Sequence, residues 1–95
     1  MADNTDIIKK NSIVLHLFTS RMQLRHDGRE YVGLCIFHSE KTGSFKVYQN
    51  SDGTFLYKCH GCGVSGNIFQ FIMKTDGVQF PEAKRRVEEF IKNSF

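Results

Sequence analysis

Cys35-Ile-Phe-His38, then twenty residues, then Cys59-His-Gly-Cys62 is the stretch on which the fold of this chain turns. It reads as C-x2-H followed by C-x2-C, two short pincers separated by enough chain for a pair of strands. Four soft or borderline donors in a tetrahedron are what zinc requires, and two neighbouring pincers supply them with little backbone strain. All three cysteines of the chain fall inside the pattern. The spacing therefore predicts one structural Zn2+ held by Cys35, His38, Cys59 and Cys62. The competing reading is a pair of buried or redox-active cysteines beside a surface histidine.

Working outward, the period of the apolar residues is two on both sides of the first pincer. Met22-Gln-Leu-Arg25 and Arg29-Glu-Tyr-Val-Gly-Leu34 flank His26-Asp27-Gly28, a hairpin signal. Ser44-Phe-Lys-Val-Tyr48 puts Phe45 and Val47 on one face and Lys46 and Tyr48 on the other. Asn50-Ser-Asp-Gly53 turns the chain, and Thr54-Phe-Leu-Tyr-Lys58 leads into the second pincer. Pincers at the ends of hairpins make a zinc ribbon. Gly61, Gly63 and Gly66 surround the second pincer, where a metal knuckle bends backbone N–H groups toward sulfur.

Helices are expected on either side. Residues 3 to about 20 read as two short pieces, the first capped among Asp3, Asn4 and Thr5, the second by Asn11-Ser12. Ile13, Val14, Leu17 and Phe18 form the stripe of the second piece. His16 lies off it and reads as a surface residue. Asn67 to about Lys74 is dense in apolar residues and must be largely buried, with Asp76-Gly77 ending it. Pro81 opens a last helix whose stripe is Phe80, Ala83, Val87, Phe90 and Ile91. The fold class is thus α+β: a zinc ribbon on a small antiparallel β-sheet with short flanking helices, residues 1–95 forming one domain.

Composition bounds the function. The hydrophobic fraction is 40%, with nine Phe and no Trp, so the core is modest and a metal would support it. The N-terminal residues lack a signal-peptide pattern, and no apolar run approaches a membrane span of about 20 residues. An odd number of cysteines cannot close a disulfide framework within one chain, so a cytoplasmic, reducing location is expected. The formal charge is +3. Three thiolates and one Zn2+ reduce it to +2, so any nucleic-acid contact must come from a local patch.

A closed four-ligand site is structural, which moves function to the surface. Lys41, Lys46 and Lys58 lie between the pincers, and Arg25 and Arg29 on the preceding hairpin. Interleaved are Phe37, Phe45, Tyr48, Phe55 and Tyr57. Cations that follow phosphates and aromatic faces that stack on bases are how single strands are bound. Period two buries one face, so Lys46 and Tyr48 are the better surface candidates. Zinc nucleobase-deaminase chemistry is a rival, because His38-Ser39-Glu40 with Cys59 and Cys62 matches H-x-E…C-x-x-C. Cys35 opposes it by closing the fourth position, as does Lys58 where that signature has Pro. Thioredoxin-like chemistry at Cys59-His-Gly-Cys62 lacks its βαβ surroundings. A zinc-ribbon adapter that binds a replication or transcription protein stays open.

Gly33-Leu-Cys-Ile-Phe-His-Ser-Glu-Lys-Thr-Gly-Ser-Phe-Lys-Val47 resembles the Cys-Pro-Phe-His-x-Glu-Lys-Thr-Pro-Ser-Phe motif of bacterial and phage DNA primases. Tyr57-Lys-Cys-His-Gly-Cys-Gly63 and Gly66-Asn-Ile-Phe-Gln-Phe-Ile-Met73 are similar to the second half of their N-terminal zinc-binding domain. The resemblance covers about residues 4 to 92. It implies zinc ligation by Cys35, His38, Cys59 and Cys62, and contact of Lys41, Lys46, Lys58 and nearby aromatics with single-stranded DNA template. It further implies help in selecting the primer initiation site, with a separate polymerase domain and the replicative helicase as partners. Ile36 and Gly43 replace two prolines of the motif, which should loosen the first pincer and the turn after it. Asn67 stands where Asp is common, and His60, where Phe is common, is expected to point outward. The family's catalytic domain has no room in 95 residues, so no catalytic residue is expected and the chain alone is not expected to be an enzyme.

Overall fold

The alternation read from the sequence becomes a five-stranded antiparallel meander in a computed structural model that describes residues 8–37 and 43–93. Its strands are β1 (Arg25–Asp27), β2 (Glu30–Gly33), β3 (Phe45–Gln49), β4 (Phe55–Cys59) and β5 (Ser65–Gly66), each paired with its neighbour in sequence. Three helices accompany them: α1 (Ile13–Arg21), α2 (Ile68–Asp76) and α3 (Phe80–Lys92). The expected α+β architecture is the one observed. The proposed caps at Asp3, Asn4 and Thr5 lie outside the described residues.

Register decides which side of the sheet is core. Phe45 pairs with Cys59 and Val47 with Tyr57, and directly paired residues share a face. All four are buried on the helix side, together with Phe55. Phe45 and Tyr57 stack at 5.5 Å between ring centroids, and Phe71 of α2 meets both at the edge or at a tilt. Phe18 of α1 closes the cluster at 4.6 Å from Phe71. Burial of each such side chain stabilises the fold by roughly 1.5–3 kcal/mol, and one aromatic cluster ties α1, α2, β3 and β4 together.

Helix α2 reaches β4 and β5, and α3 packs on α1 and α2. A complete capping box starts α2. The Asn67 side chain accepts from the N–H groups of Phe69 (3.0 Å) and Gln70 (3.2 Å), and Gln70 Oε1 accepts from Asn67 N–H (2.9 Å). Gly77 ends it in the left-handed conformation, φ 65°, where a Cβ would be strained. Helix α3 buries Ala83 and Val87 from its stripe, whereas Phe80 remains exposed.

One local expectation shifts, and two details are added. Met22 and Leu24 do not join the first strand. Helix α1 continues to Arg21, and Met22 N–H closes on Phe18 carbonyl at 3.2 Å, so the ladder starts at Arg25 and turns at Gly28–Arg29. Asn11, not Ser12, serves the start of α1, its Oδ1 accepting from Ile13 N–H at 2.9 Å. Strand β5 has no apolar pattern and forms only because the knuckle returns the chain beside Tyr57 and Lys58.

Candidate metal centre and adjoining sheet face

Both pincers are anchored before any metal is considered. Cys59 is the last residue of β4, its N–H bonded to Val64 carbonyl and its carbonyl accepting from Gly63 N–H, each at 2.9 Å. Gly63 takes φ 82°, the left-handed turn that brings the chain back after Cys62. The first pincer follows β2 and is held by Phe37, whose ring lies edge-on to Phe71 at 5.9 Å, with Lys74 Nζ 5.9 Å from its centroid. Phe37 is thus an anchor for the metal loop.

Cys35, Cys59 and Cys62 bring their Sγ atoms within 4.8 Å of one another. Cys35 Sγ and Cys62 Sγ are 3.8 Å apart, far beyond the roughly 2.05 Å of a disulfide. Two thiolates on one tetrahedral zinc, with Zn–S bonds of about 2.3 Å, would sit roughly 3.8 Å apart. Phe37 N–H donates to Cys35 Sγ at 3.4 Å, the backbone support expected of a thiolate knuckle. Burial, helped by Cys59 and Cys62 and opposed by the Phe37 N–H, pushes the Cys35 thiol up to about 12. A dication that displaces the thiol protons supplies the positive charge such a sulfur cluster would hold as thiolates. The donor set fits zinc. His38, the expected fourth ligand, and Lys41 lie outside the described residues.

The sheet's outer face begins one residue from this cluster. Register places Arg25, Val32, Lys46, Lys58 and Ser65 in one row across all five strands. Lys58 immediately precedes Cys59, so the metal end of β4 fixes its position. Lys46 reaches Glu30 at 3.6 Å, a half-exposed pair of little energetic weight. Tyr48 stands on the same face, half-buried, and Arg29 is exposed in the β1–β2 turn. His60 is exposed, as expected.

Tyr57 requires a correction. Expected to stack on nucleic acid, it is fully buried opposite Val47, and its hydroxyl has no hydrogen-bond partner among the described residues. Burial, and then the charge of Cys35, push its phenol up to about 12. Its parity with Cys59 carries it to the helix side. Phe45 and Phe55 are core for the same reason. Sequence reasoning also missed two exposed apolar residues beside the first pincer, Leu34 (52% exposed) and Ile36 (45%), because a strand-end pattern does not reveal which side chains the helices leave uncovered. No described helix is long and apolar enough to cross a membrane.

A sequence model of the CHC2 zinc finger matches residues 1–94. A DNA primase of Clostridium acetobutylicum is 46% identical, the match covering 82% of this chain and 13% of that protein. A DNA primase of Pseudomonas aeruginosa is 42% identical over 94% of this chain and 12% of its own length. A crystal structure of Aquifex aeolicus primase that contains its zinc-binding and RNA polymerase domains matches with a TM-score of 0.77 at 25% identity, over 94% of this chain and 21% of that one. The chain thus spans about one eighth of the curated relatives it matches. With the sulfur cluster, these matches give the chain a structural zinc.

Proposed function

Because the chain belongs to the CHC2 zinc finger family, we propose that it is the zinc-binding module of a DNA primase and that it grips single-stranded template on the outer face of its sheet. Cys35, His38, Cys59 and Cys62 hold the zinc as a closed set, so the metal keeps no open position and the chain is non-catalytic by itself. Residues 1–95 act as one domain.

The observation that carries the template reading is the row Arg25, Lys46 and Lys58 across the strands. Lys46 and Lys58 are directly opposed, an arrangement that costs stability unless an anion lies over it. Phosphates are such anions, and Tyr48 on the same face offers a ring to a base. Arg29 in the β1–β2 turn adds a further cation, and Lys41 is proposed as a further phosphate contact. Zinc contributes by fixing the end of β4, so the row meets the strand already ordered. Selection of the initiation site follows from which bases reach that face.

The test is anisotropy of a labelled oligonucleotide with the zinc-loaded chain at low and high salt. Single-strand contacts contribute about 0.7 each to the slope of log affinity against log salt, so three phosphates predict about 2. The Lys46→Ala/Lys58→Ala double variant should lose most of that slope while keeping its fold. Equal affinity in the variant would remove the row from the site.

A second surface favours a protein partner. Leu34 and Ile36 rim a groove of about 530 Å³ that also involves Met22, Leu24 and Cys35. We assign this face to a polymerase domain, with the replicative helicase as a further partner of the assembly. Leu34→Asp should weaken capture of a separately produced primase polymerase domain and leave oligonucleotide affinity intact.

A further inference from the structure

At the opposite end of the strands from the sulfur cluster, α1 and the β1–β2 hairpin leave a groove of about 520 Å³ between them. Its volume lies within the roughly 300–1,000 Å³ of small-molecule sites. Leu15 and Phe55 form its apolar floor, and His26, Arg29, Tyr31 and Gln49 bring polar and aromatic groups to it. His26 and Tyr31 are cross-strand partners whose rings stack at 4.7 Å with 14° between planes. A flat pair of this kind accepts a further ring by the same offset stacking. Arg29 is exposed, and no ion pair occupies it among the described residues. Gln49 Nε2 donates to Gly53 carbonyl at 3.0 Å, so its Oε1 is left as an acceptor.

An aromatic stack, a cation and one amide acceptor around one cavity match the parts of a nucleotide. We infer that this groove binds a single nucleotide, its base extending the His26–Tyr31 stack and its phosphate paired with Arg29. Gln49 Oε1 accepts from an exocyclic amino group, which adenine and cytosine carry and thymine lacks. The inference rests on the single-strand reading above. Gln49 is three residues along β3 from Lys46, about 10 Å, and by alternation on the helix side, so a strand gripped by the outer row reaches the groove by passing round the end of β3.

The experiment is a titration of the zinc-loaded 15N-labelled chain with adenosine 5′-monophosphate and with thymidine 5′-monophosphate, followed by amide shifts. Adenosine monophosphate should move His26, Arg29, Tyr31 and Gln49 saturably. Thymidine monophosphate should bind about fivefold more weakly, the scale of one hydrogen bond. His26→Ala should weaken adenosine monophosphate about tenfold, and Gln49→Met should erase the preference between the two. Gln49 is at the surface, so its variant tests the site even if the His26 variant folds poorly. Oligonucleotide binding is measured beside it on the Lys46→Ala/Lys58→Ala variant. Oligonucleotide binding with no groove shifts up to millimolar nucleotide overturns this inference and leaves the template reading standing. Groove shifts with no oligonucleotide binding do the reverse, and neither signal overturns both.

Discussion

Lys46 and Lys58 stand directly opposite each other across the β3–β4 ladder. Two ammonium groups so placed repel, and the contact of Lys46 with Glu30 at 3.6 Å offsets only part of that. Lys58→Ala should therefore stabilise the zinc-loaded protein by about 0.5 kcal/mol. It should also weaken oligonucleotide binding and lower the salt slope by about 0.7. Stability gained with binding lost would mark the pair as kept for an anion. If the variant is less stable, the repulsion argument is wrong.

Tyr57 offers the opposite case, a hydroxyl with no partner among the described residues, in the middle of the aromatic cluster. Tyr57→Phe removes that buried polar group and keeps the ring stack on Phe45. Chemical denaturation should show a gain of about 1 kcal/mol, and oligonucleotide affinity should not change. A loss of affinity would return Tyr57 to the binding face and contradict its burial.

Asp76 joins the three helices. Its carboxylate accepts from Arg86 at 2.7 Å and from Arg21 at 3.2 Å while its own side chain is 12% exposed. Burial pushes the Asp76 carboxyl up, but hydrogen bonds from Arg86 and Thr75 and the charge of Arg21 outweigh it and hold the group below its ordinary value of 3.8. A carboxyl depressed in the folded state contributes stability that is complete above the unfolded value and is lost as pH falls through the folded one. Asp76→Asn should cost about 1–2 kcal/mol near neutrality, because both arginines are partly in water. The gap between variant and wild type should close as pH falls below about 4. A gap that stays constant in acid would show that the carboxylate's charge does not matter.

Zinc removal should be felt well beyond the sulfurs. Cys59 ends β4, and Phe37 links the first pincer to Phe71 in the core, so both β4 and α2 depend on the knuckle. Structural zinc adds roughly 10–16 kcal/mol of apparent folding free energy in small domains. Chelation, or Cys35→Ala, should collapse the far-ultraviolet circular dichroism melt to a broad, low transition, with zinc content falling below stoichiometric. An unchanged sharp melt in metal-free protein would show that the aromatic cluster holds the fold alone.

What the residues alone determined was local. Ligand spacing is a property of a few consecutive residues, so the three sulfurs that meet were already named by C-x2-H and C-x2-C. The stop at Gly77 is equally local, since it acts within one helical turn. Alternation also put Lys46 and Tyr48 outside and Phe45 and Val47 inside. Tertiary structure decided the rest. Tyr57 looks like a surface aromatic until it is set opposite Val47 and α2 is laid over both. Strand β5 exists only because the knuckle delivers Ser65–Gly66 to the edge of β4. The row of Arg25, Lys46 and Lys58, and the groove between His26, Arg29 and Gln49, join residues from separate strands. No periodicity in one segment can specify such neighbours, because register between strands is set by the burial of the whole face.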